Sequence, residues 1–269
     1  MNSSTNTAIA PPASARLSAA LRRWYAQYHH PMTWTGLGVF AALLLFSWKF
    51  LLGTDNLGRD MLARMMAGGQ ATLQVGLLGS LIAMCAGIVY GMFSAMSPGW
   101  LDKILMRLLD AVLAIPTLVL MIFFAAIMPL NTLSLVLLLG LVSWPGLARI
   151  VRNEALAYRE RDYILAARQF GASSLYVARS HMLRAMLPIL IVNATFMVAD
   201  VILALAGLSF LGLGIQPPRA SWGGLLNEGV QQVFLGSWWL IVFPGLAIFA
   251  AIVAMNLIGQ GLLARLEGR

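Results

Sequence analysis

The sequence predicts an all-α integral membrane protein with six transmembrane helices. Two features of composition and one of pattern lead there. Hydrophobic residues make up 60% of the 269-residue chain and charged residues only 10%, whereas a soluble domain carries about 25% charged residues to solvate its surface. So little charge cannot cover a water-facing shell, and the apolar surplus needs hydrocarbon around it. The pattern is six apolar stretches, each of roughly the 20 residues that a helix needs to cross a bilayer core.

Taken in order, the chain opens on a Ser/Thr/Ala/Pro-rich tail to about Ser14, without the charged start, apolar core and cleavage site of a signal peptide. Over 17–28, Leu17, Ala20, Leu21, Trp24, Tyr25 and Tyr28 recur at helical spacing, with Arg22 and Arg23 largely off the stripe. This fits an interfacial helix lying on the membrane, or a solvated lead-in. Residues 1–31 are thus expected to form a cytoplasmic tail, and 32–267 a transmembrane domain with its core at about 70–262. The predicted spans are 32–52, 71–95, 104–128, 132–150, 186–207 and 238–262. Ser143, Trp144, Pro145 and Gly146 interrupt the end of the fourth, where a kink or an unwound turn packed against protein is expected. No internal repeat is visible.

Orientation follows from lysine and arginine, which collect on the cytoplasmic side. With the N-terminus inside, fourteen of the 18 basic residues fall in the cytoplasm, and only Lys49, Arg59, Arg64 and Arg219 fall outside. Both termini are therefore expected in the cytoplasm. Topology accounts for the net charge of +8, and a nucleic-acid partner loses its support. The single cysteine, Cys85, sits in an apolar run and builds no disulfide framework. The histidines, His29, His30 and His181, lack a metal-ligand spacing.

Seven of the fourteen inside charges lie between spans four and five, in residues 149–184. Connections in compact proteins are usually short, so one this long invites a reason. Asp162 can cap a helix whose apolar positions Tyr163, Ala166, Ala167 and Phe170 repeat at 3 and 4 residues. Gly171 suits a left-handed helix end, and Ser173 can start a second helix, from Ser174 through Met186 into span five. Such a helix–glycine–helix knob can insert into a groove on a soluble partner. Alternatively it lies on the lipid surface.

The stretch Ala166-Ala167-Arg168-Gln169-Phe170-Gly171 resembles the "EAA" loop of bacterial ABC importer permeases. Three further segments resemble the dipeptide/oligopeptide/nickel branch of that family, in the same order. They are Gly53-Thr54-Asp55-Asn56-Leu57-Gly58-Arg59-Asp60, Arg159-Glu160-Arg161-Asp162-Tyr163, and Leu208-Ser209-Phe210-Leu211-Gly212-Leu213-Gly214 with Pro217-Pro218 and Ser221-Trp222-Gly223. The resemblance covers roughly residues 50–267. It implies a type I ABC importer transmembrane domain, multi-pass in the bacterial cytoplasmic (inner) membrane. The implied partners, besides membrane lipid, are a second homologous permease, two P-loop ATPase subunits and an extracytoplasmic substrate-binding protein. By the same resemblance, Asp162, Tyr163, Leu165, Ala166, Ala167, Phe170 and Gly171 would couple the chain to the ATPase. The chain departs from the family at three places: Leu165 stands where the loop usually has its glutamate, Arg184 where a proline is common, and the outer loop before Thr54 is nearly absent.

The chain cannot itself be a P-loop ATPase. Its only lysines, Lys49 and Lys103, follow Trp48 and Asp102 rather than the glycine that the phosphate-binding loop requires. No cofactor is expected on this chain; ATP and Mg belong to the partner subunits. Two acids lie within spans, Asp110 and Asp200, where each should face protein or water. Asp110 can pair with Arg107 three residues away. Asp200 is a candidate for the substrate path or a helix–helix hydrogen bond, with Asn193 about two turns off on a shared face. The scattered methionines are expected to pack rather than to bind metal. The outer segment 207–237 should fold back against the pore mouth, or form a plain structural hairpin. The expected cargo is a di- or oligopeptide, with nickel or another metal chelate as the alternative. A secondary transporter working alone would need inverted repeats and broken helices in matching halves, and an intramembrane enzyme would need a cluster of catalytic residues. The sequence offers neither.

Overall fold

The computed structural model describes residues 35, 36, 38, 52–55, 57–128 and 131–267. Within them the chain is nearly all helix, with one isolated antiparallel bridge between Thr54 and Asp60. The predicted tail and interfacial helix, and most of the first span, lie outside the described residues. Of that span, Gly36 rests on the last helix so closely that a methyl group there would meet the Ala254 carbonyl at 3.0 Å.

The first fully described helix, α1 (Met61–Met96), is 36 residues long, or about 54 Å at 1.5 Å per residue. It starts ten residues before the predicted span. Arg64 and Gln70 depress the hydropathy of that turn, but helix formation does not require apolarity. The Asp60 carboxylate accepts the Leu62 N–H at 3.0 Å and caps the start. Helix α1 packs along α4 (Thr132–Arg159) with its backbone very close. A Cβ on Gly91 would lie 2.5 Å from the Ala148 carbonyl oxygen, the close approach that small residues permit between membrane helices.

The third predicted span is not one helix. It divides into α2 (Gly99–Leu113) and α3 (Thr117–Ile127), whose axes meet at 78°. Pro116 lacks an N–H and disfavours helical geometry at Ile115, so the chain turns there. Helix α4, in contrast, stays helical through Pro145, and the unwound turn expected near that residue is absent. Pro145 is buried in the bundle, where neighbouring helices make a lost backbone bond tolerable. The helix also runs nine residues past its predicted end at 150, so much of the long loop is a continuation of α4.

Helix α5 (Asp162–Gln169) follows after Glu160 and Arg161. Next come α6 (Ser174–Val177), a π-helical turn (Ala178–Met182) and α7 (Leu183–Ala185), which lead into α8 (Leu187–Phe210). After α8 the chain folds back as α9 (Trp222–Gln231) and crosses again in α10 (Trp239–Glu267). The expected fold-back is anchored by Trp222. Its side chain is buried, its indole N–H donates to the Met65 carbonyl at 3.0 Å, and its backbone N–H donates to Thr72 Oγ1 at 3.2 Å. Among the described residues, four helices are long and apolar enough to cross a membrane, or five if α2 and α3 form one bent span.

Candidate functional sites at the two ends of the bundle

Helix α1 links two sites. Near its C-terminal end sits the knob formed by α5, Gly171 and α6. Arg161, not Asp162, occupies the cap position, and no side chain caps this helix. Asp162 instead opens the first turn, where its charge favours the helix dipole. Gly171 adopts φ +86°, and the Ala172 N–H reaches back to the Ala167 carbonyl at 3.0 Å, the hydrogen bonding of a left-handed helix end. Ser173 begins α6 as expected, accepting the Tyr176 N–H at 3.3 Å.

The knob's apolar residues divide sharply. Ile164 is completely buried and ties α5 into the main core, although the expected stripe was Tyr163, Ala166, Ala167 and Phe170. Tyr163, Leu165 and Phe170 face outward, with Phe170 92% exposed and Leu175 on α6 79% exposed. Ala166 and Ala167 are half-buried. The residue that packs lies off the expected stripe, and hydropathy alone could not tell the buried Ile164 from the bare Tyr163, Leu165 and Phe170.

A polar network holds the root of the knob. Arg152 on α4 donates from Nε to Asp102 Oδ1 at 3.1 Å and from Nη2 to Oδ2. Ser94 at the end of α1 donates to the same carboxylate at 2.6 Å. Arg159 Nη1 donates to the Ala95 carbonyl at 3.1 Å, and the Tyr158 hydroxyl to the Ala185 carbonyl at 3.2 Å. The helix carrying the knob is thereby joined to α1, α2 and the approach to α8. Sequence spacing could not disclose an Asp102–Arg152 pair fifty residues apart. Asp110 likewise pairs across helices with Arg149, not with Arg107, because α4 runs beside α2 at this level.

At the other end, the signature around Asp55 forms a compact turn. Gly53 and Gly58 have φ of +80° and +71°. The Asp55 side chain is 1% exposed and accepts the backbone N–H groups of Leu57 at 2.9 Å and Arg59 at 2.8 Å. It also accepts Arg59 Nε at 2.6 Å and Arg64 Nη1 at 2.9 Å. Burial pushes this carboxyl up, but the donors from Arg59 and Leu57 outweigh it and hold it below the ordinary carboxylate range. Arg64 also grips Glu228 of α9 with both terminal nitrogens, Nη2 to Oε1 at 2.8 Å. The turn, α1 and the fold-back are thus locked together. Beside them opens a cavity of about 470 Å³ whose walls include Arg59, Arg64, Gln70, Gln74 and Arg219.

The two candidates for a substrate path are not brought together. Asn193 donates from Nδ2 to the Ile189 carbonyl at 2.8 Å within its own helix. Asp200 is exposed on α8 and has no hydrogen-bond or ion-pair partner among the described residues.

Known proteins resemble this chain along most of its length. The profile of the family described as "Binding-protein-dependent transport system inner membrane component" matches residues 87–269. A Brucella suis biovar 1 protein named as a peptide permease is 40% identical over 80% of this chain and 72% of its own. The di/tripeptide transport system permease protein DppC of Pseudomonas aeruginosa is 37% identical over 80% of this chain and 70% of its own. Among solved structures, a chain of the MetNI methionine ABC transporter in an inward-facing conformation superposes with a TM-score of 0.59. That match covers 75% of this chain and 97% of the other at 18% identity, and so bears on the fold alone. The family profile, the two relatives and the helical bundle agree: this chain belongs to the binding-protein-dependent transport system inner membrane components, the permease subunits of ABC importers.

Proposed function

We propose that the chain is one of two homologous permeases in an ATP-driven importer of di- and oligopeptides, served by two P-loop ATPase subunits and an extracytoplasmic binding protein. The observation that carries this is the knob at residues 162–175, which is firmly rooted yet bare at its tip. A face holding Tyr163, Leu165, Phe170 and Leu175 in the open suits insertion into a groove on a soluble partner. The peptide cargo follows from the names of the relatives.

The working cycle is alternating access. ATP, with its Mg, binds the partner subunits and draws them together, and the knobs follow. Ile164 and the Asp102–Arg152 link carry that displacement into α1, α2 and α4. Leu165, in the usual place of a glutamate, leaves an apolar contact at the ATPase where other members have a charged one. Asp162 and Ala166–Ala167 shape the docking helix, and Gly171 sets the corner. Both termini lie in the cytoplasm, and Asp200 with Asn193 borders the substrate route from α8.

The test is affinity purification of the tagged chain from its native membrane, followed by mass spectrometry and an ATPase assay. A second permease and a P-loop ATPase should co-purify, and Gly171→Pro should weaken the ATPase association. Recovery of the wild-type chain alone would sink this reading.

A further inference from the structure

We infer that the outer cavity is a receiving site for the C-terminal carboxylate of a peptide, with Arg219 as the cation and Gln70 and Gln74 as flanking amides. This rests on the reading of the chain as a peptide permease.

Three observations converge. First, the cavity's volume of about 470 Å³ lies within the range of about 300–1,000 Å³ typical of small-molecule sites. Second, its arginines are not equivalent. Arg59 and Arg64 are neutralised by Asp55 and Glu228. Arg219 forms no ion pair among the described residues. It is held only by a bond from Nη1 to Thr132 Oγ1 at 2.8 Å, which leaves its other donors open. Asp60 also lines the cavity, but its carboxylate caps α1. Third, Gln70 and Gln74 are one helical turn apart on the exposed face of α1, and neither has a hydrogen-bond partner among the described residues.

A guanidinium with a free edge pairs with a carboxylate through two parallel N–H donors. Carboxamides both donate and accept, which matches peptide N–H and C=O groups. Farther along the same face of α1 come Leu77, Leu81 and Val89, so the polar groups are confined to the mouth. There they could orient a peptide carboxylate-first.

The experiment uses the complete importer in proteoliposomes and compares ATP-driven uptake of a tripeptide with that of its C-terminal amide. Arg219→Gln should slow uptake of the free-acid peptide roughly tenfold or more, the loss expected for a hydrogen bond to a charged group. Uptake of the amide should stay unchanged, and Arg219→Lys should recover part of the free-acid rate. An equal fall for both peptides, or no fall for either, would overturn the carboxylate site while leaving the permease reading intact. A wild-type importer that moves no peptide with ATP would bring down the reading beneath it.

A second measurement avoids selection by the binding protein. In a Cys85→Ser background, Ala67→Cys on the cavity wall is labelled with an impermeant thiol reagent. Free-acid peptide should slow labelling several-fold, the amide should not, and Arg219→Gln should abolish the protection. Equal protection by both peptides, or none by either, would refute the site.

Discussion

Ile164 and Phe170 lie six residues apart on the knob, and truncating each should have opposite consequences. Ile164 is fully buried in the main core. Its replacement by alanine removes three buried carbons, a change that costs about 2–5 kcal/mol in packed interiors. Phe170 is 92% exposed, and surface substitutions of that kind stay within about 0.5 kcal/mol. If Phe170 is buried only on docking, its side chain contributes about 1.5–3 kcal/mol there. At about 1.4 kcal/mol per tenfold, Phe170→Ala should weaken ATPase binding by roughly 10- to 100-fold. Thermal unfolding of the detergent-solubilised permease pair without the ATPase, and titration of the ATPase onto permease proteoliposomes, separate the two quantities. Ile164→Ala should lower the unfolding temperature, whereas Phe170→Ala should leave it in place and shift only the titration. Unchanged ATPase affinity in Phe170→Ala would refute the docking role of the knob's outer face.

Further outcomes follow from the same geometry. At Gly171, φ of +86° makes any L side chain pay about 1–2 kcal/mol, so Gly171→Val should loosen the knob and lower peptide-stimulated ATPase activity in reconstituted importer. The Asp55 carboxyl is held below its ordinary range by Arg59 and Leu57, so its contribution to stability is complete above the unfolded value of about 3.9. That contribution is lost as pH falls through the lower folded value. Unfolding temperatures measured from pH 7 down to 3 should therefore show an acid-side loss that is smaller in Asp55→Asn. The Asp102–Arg152 pair is partly buried, with side chains 13% and 24% exposed, and a double-mutant cycle with Asp102→Asn and Arg152→Gln should return a coupling of about 0.5–3 kcal/mol. Gly91→Leu drives a side chain into the Ala148 carbonyl and should abolish recovery of folded protein by size-exclusion chromatography.

Much of the helical architecture was legible in the sequence because hydrocarbon imposes a simple rule. A run of apolar residues long enough to cross must be helical, and spans four, five and six came out near their observed places. What hydropathy does not register is where a helix continues without apolar residues. Asp60 and Arg64 start α1 early, and Arg152 to Arg159 carry α4 past its predicted end. The 78° break at Pro116 was missed within an apolar stretch read as one span, whereas Pro145, the more conspicuous breaker beside Gly146, is absorbed by its neighbours. At the sites, local chemistry was readable. Gly171 and Ser173 do what their conformational preferences suggest. Partnerships across the fold were not readable, since nothing at Asp102, Asp110 or Glu228 names Arg152, Arg149 or Arg64 as its partner.

The most direct test of the permease assignment is uptake of a labelled dipeptide into proteoliposomes containing this chain, the second permease, both ATPase subunits and the binding protein. Uptake should require ATP and the binding protein together, and should fall sharply when Phe170→Ala replaces the wild-type chain. Peptide accumulation by this chain alone, without ATP or partners, would contradict the assignment and identify a self-sufficient carrier.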